Sequence, residues 1–227
     1  MKIGGLLKFS LIDYPGKMAA VVFTQGCNFR CPYCHNSELV EPEYFCDPIP
    51  EDTVLDFLEK RIGQIEGLVV TGGEPTLQKD LIGFLKKVKD IGFPVKLDTN
   101  GSNPDVLREI LKLNLVDYIA MDIKAPLEKY VQLTDLKDCA ERVQKSIQII
   151  LDSDLTHEFR TTLAAPVVPV EDLPKMVSLI EGTKKYRLQR FIPRDNILNK
   201  ELLEGIPENF SEEEVAGFQS VWGIGGK

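Results

Sequence analysis

The stretch Leu68-Val69-Val70-Thr71-Gly72-Gly73-Glu74-Pro75 passes from a continuous apolar run into a glycine pair and then a proline. Beyond it the apolar period changes. Leu77, Leu81, Phe84, Leu85 and Val88 recur at helical spacing until Pro94-Val95-Lys96-Leu97-Asp98 restores a strand-length run. Strand, tight turn, helix and second strand make one crossover unit, and continuous apolar strands are what a parallel sheet covered on both faces requires. The alternation extends in both directions. Further strand-length runs stand at 19–24, 116–121, 158–163 and 187–192, giving six strands in all. Helical periodicity separates them at Leu55, Leu58 and Ile62, at Val106, Leu107, Ile110 and Leu111, and over 139–151 and 173–180. Asn103-Pro104 reads as a helix start, an Asn cap before a proline whose missing N–H costs nothing in the first turn. Six right-handed strand–helix units, where a full barrel has eight, predict an α/β fold: an incomplete (β/α)6 barrel of parallel strands with helices outside. In such folds the chemistry sits where the strands end.

A chain of 227 residues with 43% hydrophobic and 27% charged residues is sized and composed for one large domain. The longest apolar run, 18–23, falls far short of the roughly 18 residues of a spanning helix, and the N-terminus lacks a signal-peptide pattern. A cytoplasmic protein with no membrane partner is expected. The net charge of −8, from 27 Lys+Arg against 35 Asp+Glu, speaks against a partner held by phosphate contacts, so nucleic acid is not expected either. Five cysteines are too few and too uneven for a disulfide framework, since three crowd into Cys27, Cys31 and Cys34. That crowding points to metal in a reducing compartment.

The three lie in Gly26-Cys27-Asn28-Phe29-Arg30-Cys31-Pro32-Tyr33-Cys34-His35-Asn36, directly after the first strand. One compact loop can bring all three sulfurs onto one inorganic core. Tetrahedral zinc and ordinary electron-transfer clusters take four protein ligands, so a fourth must be found or left out. Cys139 falls in register with Val143, Ile147 and Ile150 on a helix face, where cysteine behaves as a small hydrophobe. Cys46 lies in a proline-flanked loop. His35 could close a three-Cys, one-His zinc site, which keeps a non-catalytic, zinc-stabilised interaction protein as one alternative.

The C-x3-C-x2-C loop, with an aromatic before its last cysteine, resembles the signature of the radical S-adenosylmethionine (radical SAM) enzymes. The resemblance implies that Cys27, Cys31 and Cys34 hold a [4Fe-4S] cluster whose fourth iron is chelated by S-adenosylmethionine, and that the fold is the incomplete six-unit barrel already read from the periodicity. Thr71-Gly72-Gly73-Glu74-Pro75 is similar to the family motif that receives the methionine amino group, which assigns Gly72, Gly73 and Glu74 to the cofactor. Without the resemblance the same residues read as a strand-to-helix turn, with glycines permitting close backbone approach.

Asp98-Thr99-Asn100-Gly101 follows the third strand and Met121-Asp122-Ile123-Lys124 the fourth, each placing a carboxylate at a strand end. Read locally, Asn100-Gly101 is a turn and Asp122 and Lys124 are solvated. The pair resembles a narrower group, the activating enzymes of glycyl radical enzymes of the pyruvate formate-lyase activase type. There the resemblance implies a monovalent cation held by Asp98, Thr99 and Asp122 against the cofactor carboxylate, with Lys124 reaching the cofactor or the substrate backbone as a catalytic candidate and Arg160 near the cofactor. Hard cations prefer such oxygens. Tyr33 is expected against the adenine, and Asp13 and His35 against the incoming glycine loop. Asp13-Tyr14-Pro15-Gly16 and Cys34-His35-Asn36 most resemble the activases of the anaerobic ribonucleotide reductase. Only Cys46 lies where some relatives carry extra cysteines, so a single cluster is expected. The implied partners are a glycyl radical enzyme and a flavodoxin or ferredoxin reductant. A radical SAM enzyme acting on a small molecule, such as a deazaguanine precursor, is the second alternative. Residues 1–227 are read as a single domain with its core at about 18–193, and no role is assigned to 194–227.

Overall fold

A computed structural model describes residues 1–165, 167–192, 197–199, 201 and 210–224. One sheet of seven strands organises them in the order β1 to β7: Ile3–Ser10, Ala19–Thr24, Gly67–Gly72, Val95–Thr99, Tyr118–Asp122, His157–Leu163 and Tyr186–Arg190. β2 to β7 pair in parallel with their neighbours, and the six expected strands are these six. The seventh is new. β1 pairs antiparallel with β2 and was invisible to the apolar-run criterion, because it opens on Gly4-Gly5 and leaves Leu7 and Phe9 exposed, as an edge strand can. Among the described residues β1 and β7 do not pair, so the sheet stays open.

Besides a single turn at Ser37–Val40, the helices among the described residues, α1 to α6, run over Glu51–Glu59, Leu81–Ile91, Pro104–Lys112, Cys139–Leu151, Leu173–Leu179 and Glu212–Trp222. Their apolar stripes (Val54 and Leu58, Phe84 and Leu85, Leu107 and Ile110, Val143 and Ile147) bury against the outward side chains Ala20, Val22, Leu68, Val70, Leu97, Ile119 and Met121. Two boundaries differ from expectation. α2 begins at Leu81 and not near Leu77, since Pro75–Leu77 forms a separate 3-10 turn. α3 begins at Pro104 as read, yet Asn103 makes no cap; its side-chain amide donates to the Thr76 carbonyl at 2.9 Å and ties two strand-end loops together. Inside the sheet a smaller cluster of Tyr14, Ala19, Val21, Val69, Tyr118 and Ala120 fills the lower barrel.

Part of segment 194–227 lies outside the described residues, but the rest has a visible task. Gln219 of α6 accepts from the Leu188 N–H at 2.7 Å and donates to the Tyr186 carbonyl at 2.9 Å. A side-chain amide thus replaces a neighbouring strand along β7, blunting that edge of the sheet. No described helix is long and apolar enough to cross a membrane.

Candidate active site

The carboxyl ends of β2 to β6 open onto one cavity of ≈ 200 Å³, lined by Cys27, Cys31, Tyr33, Cys34, His35, Gly72, Gly73, Glu74, Asp98, Thr99, Asp122, Lys124 and Arg160. Every site residue singled out from the sequence is there except Asp13. Asp13 belongs to the turn joining antiparallel β1 to β2, where its carboxylate accepts from the Ser10 hydroxyl. That turn sits at the amino ends of the parallel strands, across the barrel from the cavity, so the placement of Asp13 beside an incoming substrate is corrected.

The thiol loop is fixed from several sides. The Arg30 N–H donates to the Leu133 carbonyl at 2.7 Å, the Thr134 hydroxyl donates to the Asn28 carbonyl at 2.7 Å, and the Phe29 and Tyr130 rings meet edge-on at 6.0 Å. From the far end of the chain, the N–H groups of Leu198 and Asn199 donate to the carbonyls of Cys34 and Pro32, each at 3.1 Å. Nothing in the local sequence announces that clamp. His35 stacks on Phe191 with ring centroids 5.0 Å apart and donates from Nε2 to the Ile192 carbonyl at 2.7 Å. It therefore joins the thiol loop to the end of β7. Tyr33 is buried, its ring edge-on to Phe191 at 6.4 Å.

Burial pushes the Cys27 thiol up to about 11 and Cys31 up to about 12, and raises Cys34 as well; a Cys34 thiolate would further raise Cys27 and Cys31. Such thiols are poor nucleophiles at neutral pH and become thiolates when a metal claims them. All three are free of disulfides and face one cavity, a donor set that fits a cluster bridging them. Cys139 is buried in the helical core as expected, and Cys46 is exposed, its thiol donating to the Gly4 carbonyl at 3.4 Å. Neither lines the cavity.

The glycine pair is demanded by close packing. A Cβ on Gly73 would lie 2.2 Å from the Gly26 carbonyl oxygen, and Gly72 takes φ of +118° against the Thr24 backbone. This contact welds the end of β3 to the root of the thiol loop. The Glu74 carboxylate is wholly buried: Oε1 accepts from the Thr76 N–H and hydroxyl and from the Thr99 hydroxyl at 3.0, 2.6 and 2.8 Å, and Oε2 accepts from the Asn100 N–H at 2.6 Å. Burial raises its pKa against the pull of those donors. Asn100, which reads locally as a mere turn residue, also donates from its side chain to Asn28 Oδ1 at 3.0 Å. It links three motifs.

Asp98 and Asp122 do meet over the mouth, partly buried and ion-paired. The Arg160 guanidinium bridges them, 3.2 Å from Asp98 Oδ2 and 2.8 Å from Asp122 Oδ1. Lys96 lies 2.5 Å from Asp98 Oδ1 and Lys124 3.3 Å from Asp122 Oδ2. Burial alone would raise the Asp122 pKa, but Arg160 and then Lys124 outweigh it and hold the carboxyl at about 2. Lys124 and Arg160 are raised in turn, desolvation being overcome chiefly by Asp122. Counting Lys96, which lies behind the wall, three cations meet two acids in this row, and Lys124 and Arg160 face the cavity, suited to a ligand carboxylate. Lys96 was not singled out from the sequence, where a lysine within a strand run looks like a solvated position.

The Radical SAM superfamily pattern matches residues 21–181. A Methanocaldococcus jannaschii protein with the provisional name glycyl-radical enzyme activating enzyme is 36% identical over 206 residues, covering 85% of this chain and 81% of its own. The 7-carboxy-7-deazaguanine synthase of Thermococcus kodakarensis is 27% identical over 201 residues, with 80% and 76% covered. Among solved structures, Streptococcus suis SuiB bound to S-adenosylmethionine shares the fold at TM-score 0.67 and 14% identity, over 88% of this chain and 45% of that one. With three thiols facing one cavity from the loop after the first parallel strand of an open barrel, and a match spanning most of the sequence, this chain belongs to the Radical SAM superfamily.

Proposed function

We propose that the protein is an activating enzyme that installs a glycyl radical on a partner, the anaerobic ribonucleotide reductase. The superfamily brings a [4Fe-4S] cluster and S-adenosylmethionine; in this proposal one cluster sits on Cys27, Cys31 and Cys34 within a radical SAM core at about 18–193, in a cytoplasmic protein. Bound there, and reduced by a flavodoxin or ferredoxin, it supplies one electron for cleavage of S-adenosylmethionine to methionine and a 5′-deoxyadenosyl radical, which takes a Cα hydrogen from the partner's glycine. The chain positions, neutralises and excludes water. Gly72 and Gly73 bring the β3 end against the thiol loop, with Glu74 beside them for the cofactor amino group. Lys124 and Arg160 meet the cofactor carboxylate, and Tyr33 flanks the adenine. His35 keeps the thiol loop seated on β7 beside the substrate's way in.

The observation that carries the reading is the convergence of thiols, glycine motif and charged strand ends on one cavity at the mouth of an unclosed barrel. An open mouth suits a glycine displayed on another protein's loop, whereas a small substrate needs walls that bury most of its surface. The similarity to the Methanocaldococcus protein supports the same class. A monovalent cation at Asp98, Thr99 and Asp122 belongs to the proposal; Arg160 lies between the carboxylates, so the cation would have to displace the guanidinium from them.

Anaerobic mixing of reduced, reconstituted protein and S-adenosylmethionine with anaerobic ribonucleotide reductase should give a glycyl doublet by electron paramagnetic resonance. Absence of the doublet with that reductase, alongside its appearance with another glycyl radical enzyme, would reassign the partner. The likeness to the deazaguanine synthase favours a second reading, a small-molecule radical enzyme, which predicts no doublet with any protein.

A further inference from the structure

The inner face of the open barrel is unevenly charged. Tyr118 and Ala120 point into the inner cluster, and Asp122, two residues on, shares that face. Registers carry the face outward: Ala120 opposes Glu158, Asp122 opposes Arg160, and Arg160 opposes Arg187 on β7. β2 and β3 present Val21 and Val69 to the same space.

The charges fall into two groups. Asp98, Arg160, Asp122 and Lys124 wall the cofactor cavity, with Lys96 paired to Asp98 behind it. Beside it, Glu158 alone answers both Lys185 and Arg187, its Oε2 lying 3.0 Å from Lys185 Nζ and 3.4 Å from Arg187 Nε. This buried oxygen receives no well-directed hydrogen bond among the described residues. Lys185 is anchored further by donating to the Tyr118 hydroxyl at 2.9 Å. Arg187 is not: Glu158 at 3.4 Å is its one polar partner among the described residues, and its side chain is 48% exposed. It is the inner-face cation held most loosely, one strand beyond the last residues lining the cofactor cavity. A guanidinium in that state offers a planar pair of donors matched to a carboxylate, and the second surplus cation makes an anion welcome there.

We propose that Arg187 reads a carboxylate on the substrate. Resting on the activase reading above, the carboxylate is an Asp or Glu side chain flanking the reactive glycine of the partner loop; the same chemistry on a small molecule would use the same residue. Arg187 is then a specificity determinant separate from the groups that hold cluster and cofactor.

The test measures binding to the reconstituted protein with S-adenosylmethionine. Probes are fluorescent glycine-centred heptapeptides in which one Asp is walked through the three positions on either side of the glycine, each paired with its Asn counterpart. Nicotinate and nicotinamide form a small-molecule pair. At one register the Asp peptide should bind at least tenfold more tightly than the Asn peptide, and Arg187→Gln should shrink that gap below twofold. Arg187→Glu should reverse it toward a Lys-bearing peptide. If acidic peptides keep their full advantage in Arg187→Gln, the inference about Arg187 falls while the activase reading stands. If no peptide binds and nicotinate outbinds nicotinamide through Arg187, the carboxylate inference stands and the activase reading falls. No carboxylate preference in either series overturns the inference.

Discussion

Replacing Asp122 by Asn removes one negative charge from a partly buried row in which Arg160 and Lys124 both depend on it. The structure sets the size of the effect. A carboxyl held at about 2 instead of 3.8 corresponds, at about 1.4 kcal/mol per pH unit, to about 2 kcal/mol of folding free energy. Arg160 retains Asp98 in the variant, so the loss should stay below the about 3–5 kcal/mol of a fully orphaned buried ion. The folded pKa of Asp122 lies below its unfolded one, so the stabilisation is complete above pH about 4 and disappears as pH falls toward about 2. Urea unfolding of the cofactor-free protein, followed by circular dichroism at a series of pH values, gives the gap between wild type and Asp122→Asn. It should be constant from pH 7 to 5 and shrink steadily below 4. A gap under about 0.5 kcal/mol at pH 7, the level of an ordinary surface substitution, or one as wide at pH 3 as at pH 7, would refute the buried row.

Ala substitution at Cys27, Cys31 or Cys34 should abolish iron incorporation and the brown absorbance. Cys46→Ala should retain both, and Cys139→Ala should retain both with about 1 kcal/mol lost from the core. Asp98→Asn should keep the cluster while weakening S-adenosylmethionine binding, and wild-type activity should depend on which alkali cation is supplied; unchanged affinity with no cation effect counts against that site. Gly73→Ala forces a Cβ to 2.2 Å from a carbonyl oxygen, so thermal unfolding should show at least the about 1–3 kcal/mol loss typical of overpacking, together with poor cluster loading. A fully stable Gly73→Ala protein would mean that the β3 end does not press on the thiol loop.

Several of the six parallel strands were legible because burial on both faces writes itself as continuous apolar runs, such as residues 68–71 before the glycine pair, whereas 158–163 and 187–192 mix apolar with charged and polar positions. β1 was not: an edge strand bears half its load, and Gly4, Gly5, Lys8 and an exposed Phe9 give no run to find. The thiol trio and the strand-end motifs were readable because each is contiguous in sequence. What pairs with them was not. Lys96 within a strand and Arg160 two strands away are joined only by the register of the sheet, and Leu198 reaches the Cys34 carbonyl from the far end of the chain. Asp13 shows the opposite failure. Its role came only from the resemblance of Asp13-Tyr14-Pro15-Gly16 to a family segment, and the antiparallel turn of β1 places it at the other end of the barrel.

The claim that the open barrel delivers a radical to a protein glycine is tested most directly by isotope transfer. The reconstituted enzyme, reduced anaerobically with S-adenosylmethionine, is given a partner whose glycines carry deuterium at Cα, and the 5′-deoxyadenosine is weighed by mass spectrometry. Deuterium should appear in that product in step with growth of the glycyl signal. Unlabelled 5′-deoxyadenosine with every glycyl radical enzyme offered, together with label transfer from a deuterated small metabolite, would contradict the account.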